Sequence, residues 1–245
     1  IEYRIRRYVR DFSFHRWDKT SLYKTKGKSF YSYGRVVHRD YAVRLNGRFL
    51  VDSKIMSGWQ CSIESMIELS NLSGTRFPVV SSRSFGASFQ FKLIGELIKR
   101  NYLVPYKEKP VDIPISLADL LKADRVGHTF DSITGFHTDV AEIDFSSLYP
   151  WIIYNYNIST ETIKSDLRPL QNVPGLPFKI TLSKKGIIPS AIKPFLDRRM
   201  KYKKIPSKEN KEKVMSLKWV LVTAYGYLRF REFKLGIASS HMAIG

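Results

Sequence analysis

The sequence has one cysteine, few glycines and prolines, and no long apolar run. Cys61 is the single cysteine among 245 residues, so no disulfide can form within the chain, which is typical of a reducing compartment. The 14 glycines and 11 prolines follow no period, which excludes collagen-like and repetitive architectures. Apolar runs such as Trp219–Val222 stay far below the roughly 20 residues of a membrane span. Ile1–Arg7 has no apolar stretch of the kind that a signal peptide requires.

Acidic residues are scarce relative to basic ones. The chain has 22 Asp and Glu residues and 41 Lys and Arg residues, which gives a formal net charge of +19. Such a surplus repels itself unless a polyanion shares the surface, so nucleic acid is the leading partner class and an anionic membrane the second. The alternative is a basic protein with no such partner. The composition, 43% hydrophobic and 13% aromatic, is sufficient for a packed core and excludes a wholly disordered chain.

Local patterns predict short strands and helices in the first part of the chain. Runs rich in β-formers predict strands at 33–37 and 41–45, and Asn46-Gly47 predicts a hairpin turn. Apolar residues at helical spacing predict helices over 62–74 and 86–100.

The second part of the chain begins after a proline-rich linker. The linker is Pro105–Pro114. A strand is predicted at 140–145, a loop over 171–189, and a helical hairpin from helices at 192–204 and 209–226.

Asp144 lies at the end of that predicted strand, before a tight turn. Alternation over 140–145 places Ala141, Ile143 and Phe145 on one face and Asp144 on the other. A carboxylate at a strand end can hold Mg²⁺, and the amides of the following turn can bind phosphate oxygens. The alternative is an aspartate that caps the next helix, followed by core residues.

Two predicted helices carry cations in a repeating pattern. Arg199 and Lys203 are four residues apart, so they share one helix face and can reach one anion together. Lys218, Val222 and Tyr225 follow i, i+4, i+7 on the next helix. The alternative for each is an ordinary solvated or packed helix face.

These segments, in this order, resemble the family B DNA polymerases. Residues 144–153, D-F-S-S-L-Y-P-W-I-I, are similar to motif A, D-x-x-S-L-Y-P-x-I-I, and 157–159 to the N-I-S stretch that follows it. Residues 186–203 are similar to the stretch leading into the first fingers helix. Residues 218–227 are similar to motif B, K-x-x-x-N-S-x-Y-G. Met66–Ser70 is similar to the join between the exonuclease domain and the palm in archaeal members.

The resemblance implies a role for each matching residue. Asp144 and the backbone of Phe145 would hold the catalytic Mg²⁺ ions, and Tyr149 would be a steric gate against a 2′-hydroxyl. The implied nucleotide-binding residues are Ser146, Ser147, Leu148, Tyr149, Arg199, Lys203 and Lys218. The residues implied at the nascent base pair or DNA are Val222, Tyr225, Gly226 and Gly127.

The sequence departs from the family pattern at several positions. Trp151 stands where the family has serine, and Val222-Thr223 replaces Asn-Ser, which removes a hydrogen-bonding group from the active-site face. Residues 125–128 lack the tyrosine and second glycine of the family's DNA-contacting loop. No D-x-E pair of a proofreading exonuclease is present; Asp52 is a candidate remnant, although a surface aspartate is favoured. The chain also lacks D-T-D, so we expect the second carboxylate of the two-metal site to lie outside it.

We therefore predict an α+β fold: a partial family B polymerase with an exonuclease-like remnant, part of the palm β-sheet and a two-helix antiparallel fingers hairpin. The first residue is not Met and the chain ends without a cap or tail, so we expect a fragment of a longer protein. The expected domains are 1–106 (exonuclease-like remnant and helical connector), 107–189 (first part of the palm), 190–229 (fingers) and 230–245 (return into the palm).

The function implied is template-directed DNA synthesis by the longer protein, with this fragment inactive alone. The implied partners are Mg²⁺, primer–template DNA, dNTPs and a sliding clamp bound through regions outside the chain, with no membrane partner and a location at the nucleoid in the cytoplasm. The alternative is a catalytically degenerate relative that binds DNA as a replication or repair accessory. An unrelated basic nucleic-acid-binding module leaves the segment from Asp144 to Tyr149 unexplained.

Overall fold

Helices supply most of the regular structure. The computed structural model describes residues 23–24, 26–32, 35–39, 43–44, 61–81, 83–103, 114, 116–123, 129–229 and 243–244. The helices there are α1 (Ile63–Ser73), α2 (Phe77–Val80), α3 (Phe85–Lys99), α4 (Leu117–Ala123), α5 (Leu148–Asn155), α6 (Thr160–Ile163), α7 (Ile187–Lys203) and α8 (Lys208–Arg229). The strands are β1 (Tyr23–Lys24), β2 (Lys28–Ser32), β3 (Arg35–Arg39), β4 (Val43–Arg44), β5 (Leu170–Asn172) and β6 (Lys179–Thr181). None of the described helices is long and apolar enough to cross a membrane.

The ends of α1 show why the chain turns where it does. The Ser65 amide donates to the Ser62 hydroxyl at the N-cap, 3.3 Å away, which satisfies one of the free amides of the first turn. Gly74 ends the helix in the left-handed region at φ 70°, and its amide donates to the Ser70 carbonyl. The prediction of a helix over 62–74 is therefore confirmed.

The core lies between α1, α3, α5, α7 and α8. Helix α3 contributes Phe89 and Leu93, α5 contributes Ile153, α7 contributes Phe195, and α8 contributes Val220, all fully buried. The apolar residues recur at helical spacing, which is why the pattern also located α3 correctly. A buried core shared by these helices fixes α5, α7 and α8 relative to one another, and these three helices carry the candidate site.

The predicted helical hairpin is confirmed as α7 and α8. The two helices are joined by four residues and pack along each other, as expected of an antiparallel pair. Helix α7 begins five residues before its predicted start and ends one residue before its predicted end, and α8 extends beyond its predicted limits by one residue at the start and three at the end. The interruption falls at Ile205–Ser207, where the sequence predicts it.

The strands form separate two-stranded antiparallel ladders among the described residues. β2 pairs with β3, and β1 pairs with β4, so the strand predicted at 33–37 is displaced by two residues. The predicted loop over 171–189 is wrong in part, because β5 pairs with β6 and α7 begins at Ile187. Gly175, at φ 73°, permits the tight turn between β5 and β6.

The predicted strand at 140–145 is wrong. This segment is irregular and solvent-exposed; the side chains of Ile143 and Phe145 are 89% and 71% exposed. A strand requires a neighbour that satisfies its amides and carbonyls, and no other segment in the described part of the chain pairs with this one. The sequence of 140–145 does alternate as a strand would, but alternation alone does not supply the neighbouring strand that a sheet requires.

Several predictions fall outside the described residues. These are the hairpin turn at Asn46-Gly47, the candidate carboxylate Asp52, most of the linker Pro105–Pro114, and the loop segment 125–128 with Gly127. The mixed helix-and-strand class is confirmed, whereas the domain limits and the palm part of the sheet stay predictions.

Candidate functional site

The site is built on the turn that leads into α5. Ser147 is the N-cap residue and adopts the left-handed region at φ 61° and ψ 46°. Its carbonyl accepts the first helical hydrogen bond, from the Trp151 amide at 3.1 Å. A non-glycine residue in this conformation costs of order 1 kcal/mol, so surrounding contacts must hold it. The turn leaves Asp144 exposed and Ser146 and Ser147 half-buried.

Arg199 of α7 supplies one of those contacts. Its Nη1 atom donates to the Ser147 hydroxyl, and the side chain is only 7% exposed. Its Nε atom is buried and has no hydrogen-bond partner within the described part of the chain. Burial lowers the pKa of the guanidinium, and the nearby Asp144 carboxylate opposes that shift. A buried cation with an unused donor is suited to an anion.

Lys203, one turn further along α7, contacts the same turn. Its Nζ atom donates to the Ser146 hydroxyl. Desolvation lowers the pKa of the Lys203 ammonium, and the charges of Arg199 and Lys218 lower it further, whereas Asp144 raises it. Arg199 and Lys203 therefore both contact the turn before α5, and both are influenced by the Asp144 carboxylate. The structure thus brings Arg199 and Lys203 to the turn that follows Asp144, whereas Lys218 is linked to them only through its effect on the pKa of Lys203.

Two aromatic side chains join α5 to α8 beside this cluster. The rings of Tyr149 and Tyr225 stack with centroids 4.6 Å apart and planes inclined by 18°. Both residues are half-buried, so one edge of the stack reaches solvent. Tyr149 is in the first turn of α5, and Tyr225 is on α8, seven residues after Lys218.

Val222 and Thr223, the two residues of α8 that depart from the family pattern, are both placed by the structure. Val222 is 49% exposed, so an apolar side chain faces solvent on the helix that carries Tyr225. The hydroxyl of Thr223 donates to the Trp219 and Val220 carbonyls of its own helix. Gly226 is exposed, and a Cβ there would meet nothing within 4 Å.

Asp144 fits a magnesium site in part. Mg²⁺ is usually held by one or two carboxylates together with substrate phosphates. Asp144 is an exposed carboxylate near Arg199 and Lys203, which can hold phosphates, so it can provide one such ligand. Among the residues described, no group of three or more His, Cys, Asp or Glu side chains is placed so that it could hold a metal ion.

The structure adds residues that the sequence analysis left without a role. Asn157, Ser159 and Glu161, which follow α5, accept hydrogen bonds from backbone amides at the start of α7. Arg198 pairs with Glu68 of α1 at 2.9 Å. For these residues the sequence offers one local signal, the Ser-x-x-Thr spacing from Ser159 to Thr162, which is typical of a helix N-terminus. In the structure the Ser159 amide donates to the Thr162 hydroxyl.

Comparisons with known proteins find a family and several relatives that match this chain. A model of DNA polymerase family B matches residues 82–220, which is more than half of the chain. DNA polymerase 2 of Saccharolobus solfataricus is 29% identical over 175 residues, which cover 71% of this chain and 27% of that protein. DNA polymerase 2 of Aeropyrum pernix is 28% identical over 178 residues, 66% of this chain and 21% of its own length.

A solved structure shares the fold. The structure of the family B DNA polymerase from the hyperthermophilic archaeon Pyrobaculum calidifontis matches 74% of this chain with a TM-score of 0.53 and 22% identity. The match covers 25% of that chain. This chain therefore spans about a quarter of the length of the relatives it matches.

Proposed function

Because this chain belongs to DNA polymerase family B, we propose that it forms the nucleotide-binding part of a longer protein that synthesises DNA on a template. The observation that carries the proposal is that Arg199 and Lys203 both donate to serines of the turn that follows Asp144. The charge of Lys218, on the neighbouring helix, lowers the pKa of Lys203. Cations near one carboxylate match what a metal-bound triphosphate requires.

The reaction proposed is nucleotidyl transfer. The primer 3′-hydroxyl attacks the α-phosphorus of a dNTP, a new oxygen–phosphorus bond forms, and the bond to the β-phosphate breaks. Pyrophosphate leaves, and the hydroxyl proton passes to water. The nucleophile is the primer hydroxyl, so the contribution of the chain is positioning and charge stabilisation.

Each residue of the site has a proposed part in this reaction. Arg199, Lys203 and Lys218 neutralise the phosphates, and the unused Nε donor of Arg199 gives it a hydrogen bond to offer. The amides of Ser146 to Leu148 bind phosphate oxygens. Asp144, with the backbone of Phe145, would hold Mg²⁺, which neutralises phosphate charge when bound.

The aromatic stack defines the sugar and base end of the site. Tyr149 excludes a ribose 2′-hydroxyl, and its position is fixed by the Tyr225 ring. Val222, Tyr225 and Gly226 face the nascent base pair. The proposed partners are primer–template DNA, dNTPs and, through regions outside this chain, a sliding clamp, at the nucleoid in the cytoplasm.

The second candidate is a polymerase relative that binds DNA without catalysis. Val222 favours it, since a half-exposed apolar side chain replaces the asparagine of the family pattern. This relative would act as an accessory in replication or repair.

Primer extension with Mg²⁺ by the longer protein tests the proposal. Asp144→Ala is expected to abolish extension, whereas Asp166→Ala, which also removes an exposed carboxylate, leaves it unchanged. DNA binding should persist in Asp144→Ala because phosphate contacts come from Lys and Arg. An inactive wild-type protein that still binds DNA would favour the second candidate.

A further inference from the structure

The first turn of α7 is held by three side chains from one five-residue segment. Consecutive backbone amides, which have no partner inside the helix, donate to these side chains. The pairs are Gly186 N with Asn157 Oδ1 at 2.7 Å, Ile187 N with Glu161 Oε1 at 2.6 Å, and Ile188 N with Ser159 Oγ at 3.3 Å. Asn157, Ser159 and Glu161 are called the clasp below.

Asn157 uses its whole side-chain amide in this contact. It is 3% exposed, and its Nδ2 atom donates to the carbonyls of Thr181 and Lys184, both at 2.8 Å. Because its oxygen accepts from the Gly186 amide, both polar atoms of this buried side chain are hydrogen-bonded in one geometry. The segment after α5 is therefore locked to the connection between β6 and α7.

Ser159 and Glu161 act as a pair. The fully buried Ser159 hydroxyl donates to Glu161 Oε2 at 2.6 Å, which orients the carboxylate towards the helix. A negative charge at a helix N-terminus is favourable. The backbone passes so close that a Cβ on Gly186 would lie 2.7 Å from the Cβ of Ser159. Glycine is therefore required at 186, and the contact leaves little room for α7 to shift.

The other end of the same two helices carries the candidate site. Arg199 and Lys203 of α7 contact Ser147 and Ser146 at the start of α5. Arg199 lies 12 residues beyond Ile187, about 18 Å along the helix axis. A tilt of α7 by about 5° at its base would move Arg199 by about 1.6 Å over that length. Displacements of this size at a reacting group can cost about a hundredfold in rate.

We propose that the clasp is a positioning device that sets where the triphosphate-binding face of α7 meets the turn before α5. The inference rests on the proposed function, since it concerns the same cations. The clasp residues touch no substrate in this scheme; they act through α7. Glu161 is the member whose loss has the largest expected effect, because it contributes charge as well as an acceptor.

The test uses two measurements on the 245-residue chain. Hydrogen–deuterium exchange follows the amides of 187–190 and of 146–149, and calorimetry measures binding of inorganic triphosphate. The variants are Glu161→Ala, Glu161→Gln, which keeps an acceptor, and Ser159→Ala as a milder change should the first not fold. The controls are Asp166→Ala, which removes an exposed carboxylate, and Leu93→Val, which lowers the melting temperature through the core.

Glu161→Ala is expected to raise exchange at 146–149 as well as at 187–190 and to weaken triphosphate binding about tenfold. Glu161→Gln should keep both the exchange rates and the triphosphate affinity close to those of the wild type. Neither Asp166→Ala nor Leu93→Val should change the exchange at these amides or the triphosphate affinity. The proposal is overturned when folded Glu161→Ala or Ser159→Ala exchanges faster only at 187–190 and binds triphosphate as the wild type does. A wild-type chain that binds no triphosphate would count against the proposed function, while exchange at 146–149 would still decide the role of the clasp.

Discussion

The ring of Tyr149 lies against the ring of Tyr225, with centroids 4.6 Å apart. One tyrosine follows the turn that carries Asp144, and the other belongs to the helix that carries Lys218. The contact therefore links two segments about 75 residues apart in sequence, and holds the Tyr149 ring where a nucleotide sugar is expected.

Removal of the Tyr149 ring should relax sugar selection. In the longer protein, Tyr149→Ala is expected to retain extension with dNTPs and to raise ribonucleotide incorporation by about tenfold or more, because discrimination by shape is lost with the ring. Tyr149→Phe keeps the ring and should retain discrimination. Primer extension with matched dNTPs and rNTPs measures both. Unchanged discrimination in Tyr149→Ala would contradict the role of a steric gate.

Removal of the α7 cations should weaken triphosphate binding. Arg199→Ala or Lys203→Ala is expected to reduce the affinity for a dNTP by about tenfold to a hundredfold, the usual range for a hydrogen bond to a charged group. Lys201→Ala removes an exposed cation from the same helix and should leave the affinity unchanged. Calorimetric titration measures all three. Equal losses in Lys201→Ala would indicate a general charge effect in place of a defined site.

The sequence was informative where the interactions are local. Helical periodicity located α1, α3, α7 and α8, and the spacing of Arg199 and Lys203 placed them on one face. The opposite case is the segment 140–145, where the alternation of a strand is present but the neighbour that a strand needs is not found among the described residues.

Contacts between distant residues were not predictable from one sequence. Arg199 and Ser147 are 52 residues apart, and Lys203 and Ser146 are 57 apart. The clasp joins Asn157 to Gly186, 29 residues away, through an amide that periodicity does not reveal. Only the packing of α5 against α7 brings these groups together.

DNA binding should depend strongly on salt. Residues 178–218 hold 13 Lys and Arg against 3 Asp and Glu. Exposed Lys204 lies in the connection between α7 and α8, and exposed Lys208 is the first residue of α8. Each phosphate contact contributes about −0.9 to the slope of log affinity against log salt. The double variant Lys204→Ala/Lys208→Ala should therefore flatten the slope by about 1 to 2. Fluorescence anisotropy with primer–template DNA across a salt series measures it.

A matched control for that series is Lys213→Ala. The Lys213 ammonium already pairs with Glu209, so its loss should change the slope little. A steep salt dependence with little sequence preference is expected for the wild-type chain, and an affinity independent of salt would contradict phosphate contact as the source of binding.

Triphosphate binding should weaken at alkaline pH. Desolvation, Arg199 and Lys218 hold the pKa of Lys203 below the ordinary lysine value of 10.5, against the opposing effect of Asp144. A cation with a lowered pKa loses its proton at a lower pH, so the affinity for triphosphate should begin to fall at a lower pH than for an ordinary lysine.

The free energy of unfolding without ligand should change in the opposite direction. Between the lowered pKa and the ordinary pKa the unfolded chain binds more protons than the folded chain, so the contribution of Lys203 to stability rises with pH. Lys203→Arg keeps a charge that does not titrate in this range and should abolish the alkaline decline in affinity. Calorimetric titrations at a series of pH values compare the two proteins, and the same decline in both would show that another group controls it.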